Sequence, residues 1–225
     1  MQISVVENVL KLNDEMAGLN RESLRKAGIF SLNLIGAPGC GKTALLESTL
    51  QRLAGKRRLA VMVGDLATVR DAERMAKWCD QVVQINTGRG CHLEAHHVRQ
   101  AMGRIDLSRV DILFIENVGN LICPVGFDLG QDVKIGMFSV TVGDDKPAKH
   151  PYIVAESEAL ILNKIDLLPY VPFEMDIFQR DVRQLNTRSP LFELSVVKGN
   201  GMDGWIHWLL EQQAATAARG TGTQV

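Results

Sequence analysis

No stretch of this 225-residue chain approaches the ~20 consecutive apolar residues that a membrane-spanning helix needs. Net charge is nearly absent as well. The 25 Lys and Arg against 26 Asp and Glu leave −1, so no global field draws the molecule to nucleic acid or to an anionic lipid surface. The opening residues MQISVVENVLKLNDEM set acids and amides among the apolar ones and lack the basic and small-residue flanks of a signal peptide. The expected compartment is therefore the cytoplasm. Cysteine is scarce, four in all at positions 40, 79, 91 and 123, and in that compartment these are thiols or ligands rather than a disulfide framework. Internal repeats and a domain linker are also missing, which points to one domain of a size that 225 residues can pack.

What is present is a regular alternation. Apolar β-type runs stand at IFSLNLIG, RLAVMVGD, QVVQIN, DILFIEN, KIGMFSVTVGD, EALILNK and PLFELSV. Helix-length segments such as KTALLESTLQRLAG, TVRDAERMAKW and MDIFQRDVRQLN lie between most of them. Strands alternating with helices predict an α/β fold, a mostly parallel central sheet flanked by helices on both faces. Residues 1–27 read as an N-terminal helical segment docked on the domain, through apolar Val5, Val9, Leu10, Leu12, Met16, Leu19 and Leu24. Residues 28–215 form the domain proper, closed by a helix that buries Trp205, Ile206, Trp208 and Leu209, and 216–225 read as a flexible tail.

GAPGCGKT, residues 36–43, follows an apolar strand and opens a helix, matching the phosphate-loop pattern in sequence and in context. Gly36, Gly39 and Gly41 let backbone amides close around phosphate oxygens, and the helix N-terminus adds partial positive charge. Gly36, Pro38, Gly39, Cys40, Gly41, Lys42, Thr43 and Ala44 are the expected nucleotide contacts. Among them Lys42 reaches the β- and γ-phosphates and the Thr43 hydroxyl ligates Mg²⁺. Cys40 is either a small filler or a thiolate favoured by the surrounding amides and Lys42.

NKID, residues 163–166, fits the guanine signature of GTPases. A carboxylate at Asp166 accepts two hydrogen bonds from guanine, a donor pair that adenine lacks; Asn163 braces the loop and the Lys164 stem lies along the base. Ser195 and Val196 begin SVVKGNG, where GTPases place a loop contacting the base oxygen. The strand DILFIEN leads into Glu116-Asn117-Val118-Gly119, in place of the Asp-x-x-Gly of most GTPases. Glu116 thereby becomes the catalytic Mg²⁺ acid and Gly119 the γ-phosphate amide. Asp65 ends VMVGD at a strand's carboxyl end, where it either helps order Mg²⁺ and the attacking water or caps the helix starting near Thr68. With Lys42 and Glu116 it completes the expected catalytic set.

GRGCHLEAHHVRQ, residues 88–100, sets Cys91 beside His92 and places His96 and His97 about one helical turn later. His92 and His96 are four apart, on one face of a predicted helix, whereas His97 points elsewhere and reads as exposed. Cys123 follows another strand on the same side of the sheet. Thiolates and imidazoles suit Zn²⁺ or Ni²⁺ rather than Mg²⁺. Spacing alone leaves a metal site and a solvated helix face equally open.

From about residue 28 to 210 the chain resembles the HypB family, GTPases of hydrogenase maturation within the SIMIBI class of P-loop proteins. The resemblance lies in GAPGCGKT, GDLATVRDAER, TGRGCHLEAHHV, FIENVGNLICP, SVTVGDDKP and NKIDLLP. It implies a GTPase cycling between GTP and GDP with Mg²⁺, and Ni²⁺ or Zn²⁺ held by Cys91, His92 and Cys123 at a dimer interface. A histidine matching His96 contributes in some members. It further implies a GTP-dependent homodimer that delivers nickel to [NiFe]-hydrogenase, working with a HypA-type nickel/zinc protein and the hydrogenase large-subunit precursor, and with neither nucleic acid nor membrane. Two features depart from the family. An N-terminal Cys-x-x-Cys-Gly-Cys motif or histidine-rich stretch is not found, so no separate nickel-storage role is expected; and Cys40 replaces a small polar residue, which adds a redox or metal sensitivity. The rival functions are a GTPase chaperone for another metalloenzyme, or a metal storage or sensor protein with a vestigial nucleotide pocket.

Overall fold

The computed structural model describes residues 9–65, 69–88 and 90–221. Seven strands form one sheet: β1 Phe30–Gly36, β2 Leu59–Asp65, β3 Gln81–Asn86, β4 Ile112–Glu116, β5 Val133–Ser139, β6 Ala159–Asn163 and β7 Leu191–Glu193. Their order is β3-β2-β4-β1-β5-β6-β7, and every neighbouring pair is parallel. The helices are α1 Val9–Lys26, α2 Lys42–Leu53, α3 Arg70–Met75, α4 Ala95–Met102, α5 Lys146–Lys149, α6 Pro151–Ala155, α7 Met175–Leu185 and α8 Met202–Thr221.

A central parallel strand must be apolar on both faces, since crossover helices cover both. β1 and β4 are buried along their whole length. Phe30, Leu32 and Leu34 of β1 pack with Leu45, Leu46 and Leu50 of α2, Met75 of α3 and Trp205 and Leu209 of α8. The opposite face splits in two. Met62, Leu113 and Ile115 meet Val98, Ala101 and Met102 of α4 and Leu24 of α1, whereas Ile35, Phe138 and Leu162 meet α6 and α7 through Ile153, Val154, Phe178 and Val182. Parallel strands bring all their carboxyl ends to one rim, and the order reverses beside β1, so the loop after β1 opens at the place where open α/β sheets bind ligands.

The expected helical segment is α1, yet its docking face differs from the apolar pattern. Leu10, Leu12 and Leu19 are 44%, 72% and 50% exposed, and the residues facing the domain are Asn13, Ala17, Asn20 and Leu24. Asn20 donates to the carbonyls of Ala95 and Leu129 at 2.8 and 3.0 Å. Asn13 donates to the carbonyl of Asp128 and accepts from the Ala95 amide, both at 2.8 Å. The helix is pinned by two amide side chains seven residues apart on one face together with Leu24, so of the expected leucines Leu24 docks and Leu10, Leu12 and Leu19 do not. At the other end, α8 continues to Thr221 with Thr216 buried, so the expected tail from 216 is helical for its first turn and a half. Val5 and Thr68 lie outside the described residues.

This docking makes a contrast testable by chemical denaturation. Asn20→Ala strands two buried carbonyls and should cost about 1–3 kcal/mol, while Leu19→Ala should stay within about 0.5 kcal/mol. Equal losses would mean that α1 is held by apolar contact after all.

Candidate functional site

Three carboxyl-end loops meet at the phosphate-loop segment between β1 and α2. Gly41 stands before α2 with φ 102°, and a side chain there would put Cβ 2.5 Å from Asn163 Nδ2. At Gly36 a Cβ would lie 2.7 Å from both Cys40 Sγ and the Met137 carbonyl oxygen. Only glycine lets the loop curl this tightly against β5 and β6. Asn163 closes it: its Nδ2 donates to the Cys40 carbonyl at 2.9 Å and its Oδ1 accepts from the Val196 amide at 3.3 Å. Lys164, the one non-glycine residue with positive φ among those described, donates to the Gly39 carbonyl at 2.7 Å. Ser195 is fully buried; its amide donates to the Asn200 carbonyl and its hydroxyl accepts from the Lys198 amide, which shapes the loop beside Asp166.

Lys42, Thr43, Asp65, Glu116, Gly119 and Lys164 all line one cavity of about 470 Å³ in front of this loop. Lys42 is buried, and its Nζ donates to the carbonyls of Gly36 and Ala37 at 3.1 and 3.4 Å, folded back along its own loop. Thr43 Oγ1 donates to Glu116 Oε1 at 2.8 Å. The other carboxylate oxygen, Oε2, is buried and has no hydrogen-bond partner among the described residues. Burial lifts the Glu116 carboxyl to about 7, against the pull of the Thr43 hydroxyl and the Lys42 charge. An orphaned carboxylate oxygen beside a threonine hydroxyl, on a rim shared with Asp65, fits the oxygen donors of a Mg²⁺ site. Asp65 ends β2 on this rim, and helix α3 begins at Arg70, after Val69.

Two charged cavity residues escape the sequence reading. Asp71 and Arg74 of α3 line the cavity, with Arg74 bonded to Glu47 of α2 at 2.6 and 3.0 Å. Their only trace in the sequence is an acid and a base three apart on a helix that follows the Asp65 strand.

The second cluster sits beside the first. Cys91, His92 and Cys123 each present one ligand atom, all within 4.8 Å of one another. Cys123 opens a 3-10 turn, Cys123–Gly126, in which Pro124 fixes φ at the second residue. His92 stacks on Phe127 with ring centroids 4.0 Å apart, and burial lowers its pKa. Its Nε2 is buried without a hydrogen bond among the described residues. The neighbouring Cys123 thiol pushes the Cys91 thiol up. His92 Nδ1 lies 3.5 Å from Cys91 Sγ and Nε2 lies 3.8 Å from Glu94 Oε1; two sulfurs and an imidazole nitrogen fit a borderline cation such as Ni²⁺ or Zn²⁺.

His96 does not join this cluster. Residue 92 precedes α4 instead of lying on it, so the expected helical i, i+4 pairing never forms, and His96 Nδ1 lies 3.3 Å from Glu94 Oε2. His97 has a capping function that sequence spacing missed: its Nδ1 accepts from the Glu94 amide at 3.1 Å and closes a capping box at the start of α4. Of the two readings of Cys40, the structure favours the small filler: it is fully buried, and burial raises its thiol despite Lys42 nearby.

A model of the CobW/HypB/UreG nucleotide-binding domain family matches residues 31–193. The hydrogenase maturation factor HypB of Escherichia coli (strain K12) is 42% identical over 213 residues, 95% of this chain and 73% of that protein. The chain belongs to the HypB family. Solved HypB structures share its fold. That of Archaeoglobus fulgidus superposes with a TM-score of 0.86 at 37% identity, covering 91% of this chain and all of that one. The HypB of Helicobacter pylori, solved in complex with nickel, gives 0.86 at 34%, covering 92% of this chain and 97% of that one.

The burial of the thiols predicts their reactivity. In metal-free protein Cys91 and Cys123 should react with an aromatic disulfide reagent within minutes, and Cys40 and Cys79, buried and raised, only on unfolding. Loss of a fast-reacting thiol in Cys40→Ala would contradict this assignment.

Proposed function

We propose that this HypB-family chain is a GTP-hydrolysing metallochaperone that couples nucleotide state to dimerisation and to nickel delivery in [NiFe]-hydrogenase maturation. One observation carries the reading: the segment that leaves the nucleotide cavity at Glu116 and Gly119 runs directly into Cys123 of the soft-donor cluster. A metal store with a vestigial pocket would have no need of Lys42, Thr43, Glu116 and Asp166 together. Hydrogenase maturation relatives and a nickel-bound HypB structure support nickel as the cargo, with zinc as the competing ion.

The proposed chemistry follows from the side chains. Lys42 exchanges the Gly36 and Ala37 carbonyls for β- and γ-phosphate oxygens, and the uncapped amides at the start of α2 face the same anion. Thr43 and Glu116, with Asp65 alongside, would hold Mg²⁺, which when bound neutralises charge on the phosphates. Its arrival would keep Glu116 ionised in spite of its burial. Asp166 reads guanine, while Asn163 and Lys164 hold the base loop on the phosphate loop. Cys91, His92 and Cys123 leave coordination positions open that a second copy across a two-fold axis can complete. A HypA-type nickel/zinc protein and the hydrogenase large-subunit precursor are the proposed partners, in the cytoplasm.

Asp166→Asn replaces an acceptor by a donor and should weaken GTP by roughly 10- to 150-fold while admitting xanthine nucleotide. A competition assay in which the variant still prefers GTP would remove Asp166 from the base site. For the switch, Ni²⁺ and Zn²⁺ affinities measured without nucleotide, with GDP and with a GTP analogue should differ, and Cys123→Ala should lower both the affinity and that difference. Identical affinities in the three states would leave a metal site without a switch.

A further inference from the structure

Covalent continuity ties Cys123 to the γ-phosphate turn, but Cys91 and His92 belong to a different loop. Two asparagines of the turn reach across to them. Asn117, 1% exposed, directs its Oδ1 at the amides of Leu93 and Val118, each at 3.0 Å, so the residue after His92 hangs on the residue after Glu116. Its Nδ2 donates to Oδ1 of Asn33 in the middle of β1 at 3.2 Å, which fixes the amide's orientation in the core. Asn120 bonds in three directions. Its amide donates to the Gly36 carbonyl at 3.0 Å, its Oδ1 accepts from the Ile122 amide at 2.8 Å, and its Nδ2 donates to the Cys91 carbonyl at 3.4 Å. Gly119, between them, lies against the phosphate loop: a Cβ on it would be 3.1 Å from Pro38 Cα.

The bonds to Leu93 and Cys91 span 24 and 29 residues, so they are not the local turn bonds that asparagine makes with its own backbone. We propose that Asn117 and Asn120 are the positioning residues that pass nucleotide state to the Cys91–His92 half of the metal cluster. The inference rests on the switch reading above. A γ-phosphate that draws in the Gly119 amide moves both asparagines with it, one on each side. The Asn120–Cys91 bond is already at the long end of hydrogen-bond range, so a shift of a few tenths of an ångström makes or breaks it. Cys123 is carried by the same turn through Ile122. Both halves of the ligand set are thereby moved relative to each other, which changes metal affinity without any ligand touching the nucleotide.

Asn120→Ser tests this. Serine can still accept from the Ile122 amide but is too short to reach the Cys91 carbonyl; Asn120→Ala removes both bonds. The readout is the ratio of Ni²⁺ dissociation constants in the GDP and GTP-analogue states of the full chain. That ratio should fall by at least about fivefold toward one in both variants, while Ni²⁺ affinity with GDP changes by less than about threefold and the unfolding midpoint is kept. In metal-free wild type, the Leu93 and Ile122 amide resonances should shift when GDP is replaced by the analogue. A wild-type ratio far from one that survives both substitutions, or unshifted Leu93 and Ile122 amides, overturns the relay and leaves the switch standing. A wild-type ratio of one overturns the switch, and the relay with it.

Discussion

The architecture of the site depends on how closely the phosphate loop can press against its neighbours. Gly36 and Gly41 have no room for a Cβ, because Met137 of β5 and Asn163 of β6 already occupy the space. That crowding is what lets a single side chain, Asn163, bond to the Cys40 carbonyl and the Val196 amide at once. Phosphate loop, NKID loop and the loop at Ser195 are therefore one rigid rim. A methyl group at either glycine would separate them, and the cavity would lose its shape before it lost any functional group.

Within that rim the electrostatics are set by burial. Lys42 and Glu116 are both nearly inaccessible, yet each is incompletely satisfied: the lysine makes do with two carbonyls, and the glutamate has one bonded and one orphaned oxygen. Buried polar groups in that condition are costly unless a ligand completes them. The soft-donor cluster repeats the pattern with a buried His92 Nε2 that makes no hydrogen bond among the described residues. The two regions differ in donor chemistry, oxygen on one side and sulfur with nitrogen on the other, which suits the first to a hard cation and the second to a borderline one.

Much of this was legible in the sequence, for identifiable reasons. Strand and helix alternation carries its period in the apolar residues, and the phosphate loop declares itself through glycines whose spacing has one structural purpose. Cys91, His92 and Cys123 were legible as donors, and the fold brings them together because all three follow strands of one parallel sheet. What misled was inference from spacing where the local backbone is not helical, as with His92 and His96, and inference from apolar spacing where polar groups do the docking, as in α1. Cys40 stayed open between filler and thiolate because its neighbours in sequence are amides and a lysine, while its neighbours in space are Leu45, Met137 and the rest of the core. Arg74, Asn117 and Asn120 carry nothing in their immediate sequence that foretells partners on other elements.

The amide-pinned docking of α1 has a thermodynamic consequence of its own. Three of its leucines already face solvent, and much of its hold on the domain runs through Asn13 and Asn20. Lifting such a helix away uncovers Ala17, Leu24 and their core neighbours but none of its other three leucines, so it adds only modestly to the heat capacity of unfolding and to the denaturant slope. Amide hydrogen exchange registers the lifting directly, because the Ala95 N–H donates to Asn13 of α1, on the segment that follows Cys91 and His92 of the cysteine–histidine cluster.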